Sequence, residues 1–301
     1  MSKLYDEILK VLPIVSYEED REKNGHITLV EEHEKRTLKE GVVYSKRTYR
    51  LGNGKDVKVY ITTIAPDAKA QLAVSASPLR RVKFVKQHAE EFDGDVLYAM
   101  NASFFHYFNN GDLTPYSIQI MKGVVMAEPG RDKPEYSNFF LGVMKDGTPI
   151  LTDSDNYYAN LKGKLEYAVG GGMMLIKDGE ICLHDDFEYG PRTAVALAKD
   201  GTVILMCADG RSKDSAGLSY GDEIELYLSL GYDIENLLNL DGGGSTTVVL
   251  REEDGSFGVH NVPSGPPLPI SYSKYGLTHP EPCGDLQARA VADAVLIIEK
   301  E

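Results

Sequence analysis

The run Leu240-Asp241-Gly242-Gly243-Gly244-Ser245-Thr246-Thr247 gathers more chemical capability than any other stretch of the chain. Three glycines after an apolar run let backbone N–H groups turn inward and approach an anion closely. The Ser245 and Thr246 hydroxyls add donors, and Asp241 is a carboxylate at a strand end. On glycine content alone, a glycine-rich hairpin with a turn-forming Asp is slightly the better reading. A phosphate-binding P-loop is excluded, because no Gly-Lys-Ser/Thr follows the glycines.

Three further groups sit at comparable places. Ala208-Asp209-Gly210-Arg211 ends the apolar run Val203–Cys207, although Asp-Gly is also an ordinary turn dipeptide. Gly190-Pro191-Arg192-Thr193 puts an arginine just before a strand behind a rigid proline; most arginines in such places are solvated surface residues. Asn101-Ala102-Ser103-Phe104-Phe105 sets one amide at the end of a buried strand, where a core-capping turn would serve equally. Each group alone says little. Their common placement at strand ends makes a site.

Together these residues resemble the phosphodiester glycosidase family. The family's Asn-x-x-Phe-Phe element matches Asn101–Phe105, its Pro-Arg-Thr element Pro191-Arg192-Thr193, and its Asp-Gly-Arg element Asp209-Gly210-Arg211. Gly217-Leu218-Ser219 enters a helix as in the family, and the Leu-Asp-Gly-Gly-Gly-Ser-Thr-Thr signature is whole at 240–247. The order and spacing agree from about Gly41 onward. The departures lie downstream. The family's Asn-Arg-Pro-Ser is Asn261-Val262-Pro263-Ser264 here, without the arginine. Its Glu-Arg-Pro-Val-Ala-Asn becomes Ala288-Arg289-Ala290-Val291-Ala292-Asp293, so Arg289 stands for that arginine.

The resemblance implies cleavage of the bond between a sugar's anomeric carbon and a phosphodiester, with N-acetylglucosamine-1-phosphodiesters or envelope polymers of bacteria as substrates. A departing phosphate stays anionic, so positive charge matters more than protonation, and a planar guanidinium supplies it. Arg192 and Arg211 are the expected clamp and Arg289 a third member, with the Gly243, Gly244 and Ser245 amides sharing the load. The oxocarbenium ion needs a carboxylate as nucleophile or base, and Asp241 and Asp209 are the expected pair. Which of the two attacks, and whether the reaction retains or inverts, stays open. Asn101 is expected to orient the sugar or phosphate. No cofactor is expected, and an auxiliary divalent cation is left open.

Two other classes compete. A metal-dependent phosphodiesterase cleaving P–O would need clustered ligands, but histidines 26, 33, 88, 106, 184, 260 and 279 are scattered. A non-catalytic binder of envelope glycopolymers would keep the fold without needing so complete a signature.

The elements that must position these residues are mostly short strands. Gly41–Leu51 and Val57–Thr63 flank Gly52-Asn53-Gly54, a strong hairpin signal. Gln71–Ser75, Val96–Met100, Phe139–Met144, Tyr167–Val169 and Met173–Ile176 read as strands, and Thr193–Leu197 pairs with Val203–Cys207 over Lys199-Asp200-Gly201. Leu237–Leu240, Thr247–Leu250 and Val291–Ile298 complete them. Helical spacing marks Met1–Tyr17, Arg81–Phe92 and Ser219–Leu230. Residues 18–40 read as a charged loop or surface strand. The expected fold is α+β, with mixed or antiparallel sheets and flanking helices around a single catalytic domain. That domain spans 41–301, after an N-terminal helix and charged extension at 1–40, with an irregular proline-bearing insertion at 252–287.

Composition narrows the partners. With 46 Asp+Glu against 32 Lys+Arg, the 301-residue chain carries a formal charge of −14. Nucleic acids and anionic membranes reward clustered Lys and Arg, so neither is expected. No apolar stretch approaches the ~18 residues of a membrane span. As written the chain reads as cytoplasmic, or as extracytoplasmic if an export signal precedes it. The three cysteines form no CxxC pair. One demand falls on the fold: Arg192 and Arg211 must converge on the Asp241–Ser245 loop.

Overall fold

Alternating apolar residues punctuated by Asn-Gly and Asp-Gly turns build this protein almost wholly from strands. The structure, a computed structural model, describes residues 16–77, 82–107, 113–130, 138–182, 188–264 and 288–300. The first strands are β1 (Thr28–Lys39), β2 (Val42–Arg50), β3 (Asp56–Ile64), β4 (Ala70–Ala76) and β5 (Val96–Asn101). Short strands follow: β6 (Phe105–Tyr107), β7 (Leu113–Pro115), β8 (Gln119–Met121), β9 (Val124–Ala127), β10 (Phe139–Met144) and β11 (Pro149–Asp153). Then come β12 (Leu165–Gly170), β13 (Met174–Lys177), β14 (Glu180–Ile181), β15 (Arg192–Ala198) and β16 (Val203–Ala208). The last are β17 (Ile234–Asn239), β18 (Val248–Arg251), β19 (Phe257–Val259) and β20 (Asp293–Glu299). The main helices are α1 (Tyr17–Asn24), α2 (Val85–Glu90) and α3 (Tyr220–Ser229).

Two sheets carry the architecture. The larger has the order β1-β2-β3-β16-β15-β17-β13-β14, and the second β19-β18-β5-β20-β4. A third, β11-β10-β12-β8-β9, and the β6–β7 ladder stand beside them. Among the described residues every ladder joining these strands is antiparallel. The expected helices therefore flank less than anticipated: the fold is sheet-rich, with few helices, in place of an even α+β mixture.

The main core lies between the two large sheets, where Val195, Leu205 and Cys207 cluster with Tyr98, Leu250 and Val295. On the outer face of the larger sheet, Ile204, Met206 and Leu237 pack against Ile224, Leu226 and Tyr227 of α3. Each such fully buried aliphatic side chain contributes about 1.5–3 kcal/mol. α2 covers the opposite side, against β5, β18 and β20. The order is thus α3, large sheet, second sheet, α2. Cys207 sits inside the main core, whereas Cys182 is half-buried.

The N-terminal part differs from expectation. The helix expected over Met1–Tyr17 lies outside the described residues but for its last two. A helix instead occupies 17–24, started by a capping box in which Ser16 and Glu19 satisfy each other's amides. Arg21 ties it to α3, donating to Asp222 Oδ1 at 2.9 Å and Glu225 Oε2 at 2.7 Å. Residues 28–39 form the edge strand of the large sheet, paired to β2, so the expected boundary at 40 falls inside a hairpin. Of the 252–287 insertion, β19 pairs with β18, and 265–287 lie outside the described residues. Among the described residues no helix is long and apolar enough to cross a membrane.

Candidate active site

Six strand ends meet at one end of the two sheets. β5, β16 and β17 finish there, and β15, β18 and β20 begin there, which follows from their antiparallel registers. Glycines let the loops come close. A Cβ on Gly210 would lie 2.6 Å from Pro191 N and 2.9 Å from the Cα of Gly217, so only glycine lets these backbones touch.

Asp241 is the carboxylate best placed for chemistry. It follows β17, stays partly exposed, and accepts hydrogen bonds from Ser245 Oγ and the Gly242 N–H. Burial pushes its carboxyl up to about 7; these donors and the Arg289 guanidinium restrain the rise, and the Asp293 carboxylate adds to it. A carboxyl poised near neutrality suits proton transfer.

Asp209, the expected partner carboxylate, is committed elsewhere. It is buried, and both its oxygens are taken: Tyr60 donates to Oδ2 at 2.7 Å, Asn261 Nδ2 to Oδ1 at 3.0 Å, and the Val262 N–H to both at 3.1 Å. It ties the 261–262 loop to the end of β16. Asn at 209 would turn an NH2 toward one of these donors and leave it unpaired, so Asp209→Asn is expected to lower stability by about 1–3 kcal/mol. Denaturant unfolding checks this, with kcat falling far less than in Asp241→Asn.

The two arginines of the expected clamp part company. The Arg211 side chain lies over the glycine loop, its Nη1 and Nη2 each 3.3 Å from where a Gly243 Cβ would stand. Its own φ is +61°, and unlike Lys122 and Asp178, which share that region, it does not precede a turn glycine. A non-glycine residue held there costs about 1–2 kcal/mol, and such strain gathers at functional positions. At Arg192 it is the preceding backbone that reaches the loop: Pro191 O accepts the Gly243 N–H at 2.8 Å. Its guanidinium instead donates to Leu218 O at 3.0 Å and Glu188 O at 2.6 Å and stacks 4.3 Å over the Tyr220 ring. Arg289 does reach the loop, its Nη1 3.5 Å from Ser245 Oγ; its buried Nε has no hydrogen-bond partner among the described residues.

The loop amides are also partly spent. Gly243–Ser245 forms a turn of 3₁₀ helix, with Ser245 N–H donating to Gly242 O at 3.2 Å and Thr246 N–H to Gly243 O at 3.3 Å. Of the three expected anion-binding amides, Gly244 is the one used in none of these bonds. Thr246 is buried, its hydroxyl 3.4 Å from that of Thr193, so it supports the loop from behind.

Asn101, expected to orient substrate, is wholly buried and holds protein instead. Its Nδ2 donates to Asp241 O at 2.5 Å, and its Oδ1 accepts from Thr193 Oγ1 at 3.0 Å and Thr247 N–H at 3.1 Å. It pins β5, β15 and the glycine loop together. Asp293 was not singled out by sequence, where it stands only as the last residue of the segment matched to Glu-Arg-Pro-Val-Ala-Asn. The structure buries it beside Asp241. Among the described residues no group of three or more His, Cys, Asp or Glu is arranged to hold a metal.

An antiparallel two-layer fold, with a carboxylate, a glycine loop and two guanidinium groups at one end of its strands, defines a class of protein. Solved structures share the fold. The catalytic domain of zebrafish N-acetylglucosamine-1-phosphodiester α-N-acetylglucosaminidase superposes with a TM-score of 0.58 at 20% identity, covering 92% of this chain and 88% of that one. The sequence model of the phosphodiester glycosidase family matches residues 94–298, and the chain belongs to that family. The human N-acetylglucosamine-1-phosphodiester α-N-acetylglucosaminidase is 26% identical over 133 residues, 38% of this chain and 25% of that protein. An uncharacterised SPbeta prophage-derived protein of Bacillus subtilis is 36% identical over 75 residues, 25% of this chain and 11% of that protein. The chain thus aligns with a quarter or less of the length of these curated relatives.

Proposed function

We propose that the protein hydrolyses the glycosidic C–O bond of a sugar-1-phosphodiester, releasing the sugar and a phosphomonoester. The observation that carries this reading is Asp241, a carboxyl poised near neutrality between the Arg289 guanidinium and the loop on which Arg211 lies. Arg211 and Arg289 hold the phosphodiester. As the bond from C1 to the phosphate oxygen lengthens, its electron pair moves onto that oxygen, where the two guanidinium groups meet the growing charge. Positive charge develops on the sugar ring opposite Asp241. Water adds to C1, and Asp241 takes its proton. Arg192 and Asn101 position the loop, and Asp209 holds its far side. No cofactor takes part in this reading. The human and zebrafish relatives, by their names, act on N-acetylglucosamine-1-phosphodiesters, so that sugar is the first to try here.

A substrate panel tests the reading. N-acetylglucosamine-1-phosphodiesters, other sugar-1-phosphodiesters and a simple aryl phosphodiester are incubated with and without EDTA. Turnover of a sugar-1-phosphodiester that survives EDTA supports it. Turnover of the aryl ester, abolished by EDTA, would make the protein a metal-dependent phosphodiesterase instead.

A further inference from the structure

Asp293 belongs to none of the roles above, yet its carboxylate is fully buried and fully used. Ser103 N–H donates to Oδ1 at 2.8 Å, Ser103 Oγ to Oδ2 at 2.5 Å, and Gln119 Nε2 to Oδ2 at 2.7 Å. Ser103 closes a three-residue connection to the site. Asn101 holds Asp241 O, Ala102 O accepts the Asp241 N–H at 2.9 Å, and Ser103 is held in turn by Asp293. A displacement at Asp293 is therefore carried to Asp241 through consecutive residues of one turn. The Ser103 backbone amide can only donate, which calls for an acceptor at 293, and Gln119 as placed turns its NH2 to the same carboxylate. An apolar strand has no need of a buried charge at its first position, and such a charge is costly to keep.

We propose that Asp293 is a positioning residue for the reaction assigned above: it locks the 101–103 turn onto β20 and sets a fixed negative charge behind Asp241, so fixing the pH at which that carboxylate becomes available. The proposal rests on Asp241 serving as the base.

The surroundings leave few other charges to share this task. Arg289, on the segment leading into β20, faces Asp241 with the opposite sign. β4, β5 and β8 bring Ala76, Asn101 and Gln119, none of them charged. From α2 comes His88, whose Nδ1 meets Ser75 Oγ at 3.0 Å and whose Nε2 lies 3.4 Å from Val291 O. Burial lowers its pKa to about 3, so it stays neutral. Burial raises the Asp293 carboxyl, and its Ser103 and Gln119 donors oppose the rise. With Asp293 ionised, a like charge delays ionisation of Asp241; removing it lets Asp241 ionise at lower pH.

The test is the pH–rate profile of Asp293→Asn on the same phosphodiester. Asn keeps one acceptor for the Ser103 amide, and Gln119 can turn its carbonyl toward the new amide. The acid limb, set by Asp241, is expected to move about one pH unit downward, so relative activity at pH 6 rises. A merely loosened site would lower the plateau and leave the limb in place. A ¹³C titration of the Asp241 carboxyl, assigned by its loss in Asp241→Asn, reads the same shift without turnover. If the wild type hydrolyses no phosphodiester and this midpoint still moves down, the functional reading fails and the electrostatic role of Asp293 stands. Should Asp293→Asn not fold, Ser103→Ala removes one donor, weakens the charge at 293, and moves limb and midpoint down by less. An unmoved or raised midpoint in a folded variant overturns the proposal.

Discussion

Asp241→Asn is expected to lower kcat on a sugar-1-phosphodiester about 10²–10⁴-fold, the usual worth of a positioned proton-transfer group. An amide of the same shape keeps the acceptor for Ser245 Oγ but cannot take a proton from water. Folding should not suffer. The folded-state pKa of about 7 lies above the unfolded value of ~3.9, so ionising this carboxyl works against the folded state. Its favourable contribution is full below the unfolded value and is lost as pH rises through 7. At pH 8 the variant is therefore expected to unfold at the same temperature as the wild type or higher. A loss of kcat with unchanged melting separates a chemical role from a structural one. Steady-state kinetics and thermal unfolding on the same preparation check both halves.

Asn101→Ala is expected to damage stability and activity together. Three hydrogen bonds end on this buried amide, and its loss leaves Asp241 O and the Thr247 N–H without those partners. Buried groups left unsatisfied cost about 1–3 kcal/mol each, so a total loss of about 3–5 kcal/mol is expected once the small cavity is included. Asp241 and the glycine loop would then lose their registration to β5. Misplacement by about 1 Å can cost 10²-fold in rate, so kcat should fall by at least about that factor. Denaturant unfolding and kinetics on the folded fraction test the pair of effects. Asp209→Asn is the control, since its stability loss should come without a comparable fall in kcat.

Much of the site was legible because its parts stand at the ends of apolar runs. Val96–Met100 and Leu237–Leu240 stop at Asn101 and Asp241, Val203–Cys207 stops one residue short of Asp209, and antiparallel pairing brings those ends together. The β2–β3 hairpin and α3 also appear where the Asn-Gly turn and the helical spacing put them. The individual roles were less legible, because they depend on partners distant in the chain. Asp209 looks like a free carboxylate until Tyr60 and Asn261 close on it. Arg192 looks like a clamp until the Leu218 and Glu188 carbonyls claim its guanidinium. Nothing local to Asp293 signals Ser103 or Gln119, each more than 170 positions away. α1 did leave a local sign, the Ser16-x-x-Glu19 capping box, under a charge-rich composition that suggested a loop. β1 answers to the surface strand that the same stretch also allowed, but its extent left no sign: it is an edge strand exposed on both faces through its first half, and its Glu and Lys residues give no period-two apolar pattern.

The central claim is that the sugar–oxygen bond breaks and the oxygen–phosphorus bond survives. Hydrolysis of an N-acetylglucosamine-1-phosphodiester in H₂¹⁸O, followed by ³¹P NMR and mass spectrometry, tests it most directly. The account predicts that ¹⁸O enters at the anomeric carbon and that the released phosphomonoester carries none. Phosphomonoester labelled from solvent, with its isotope-shifted ³¹P signal, would contradict it.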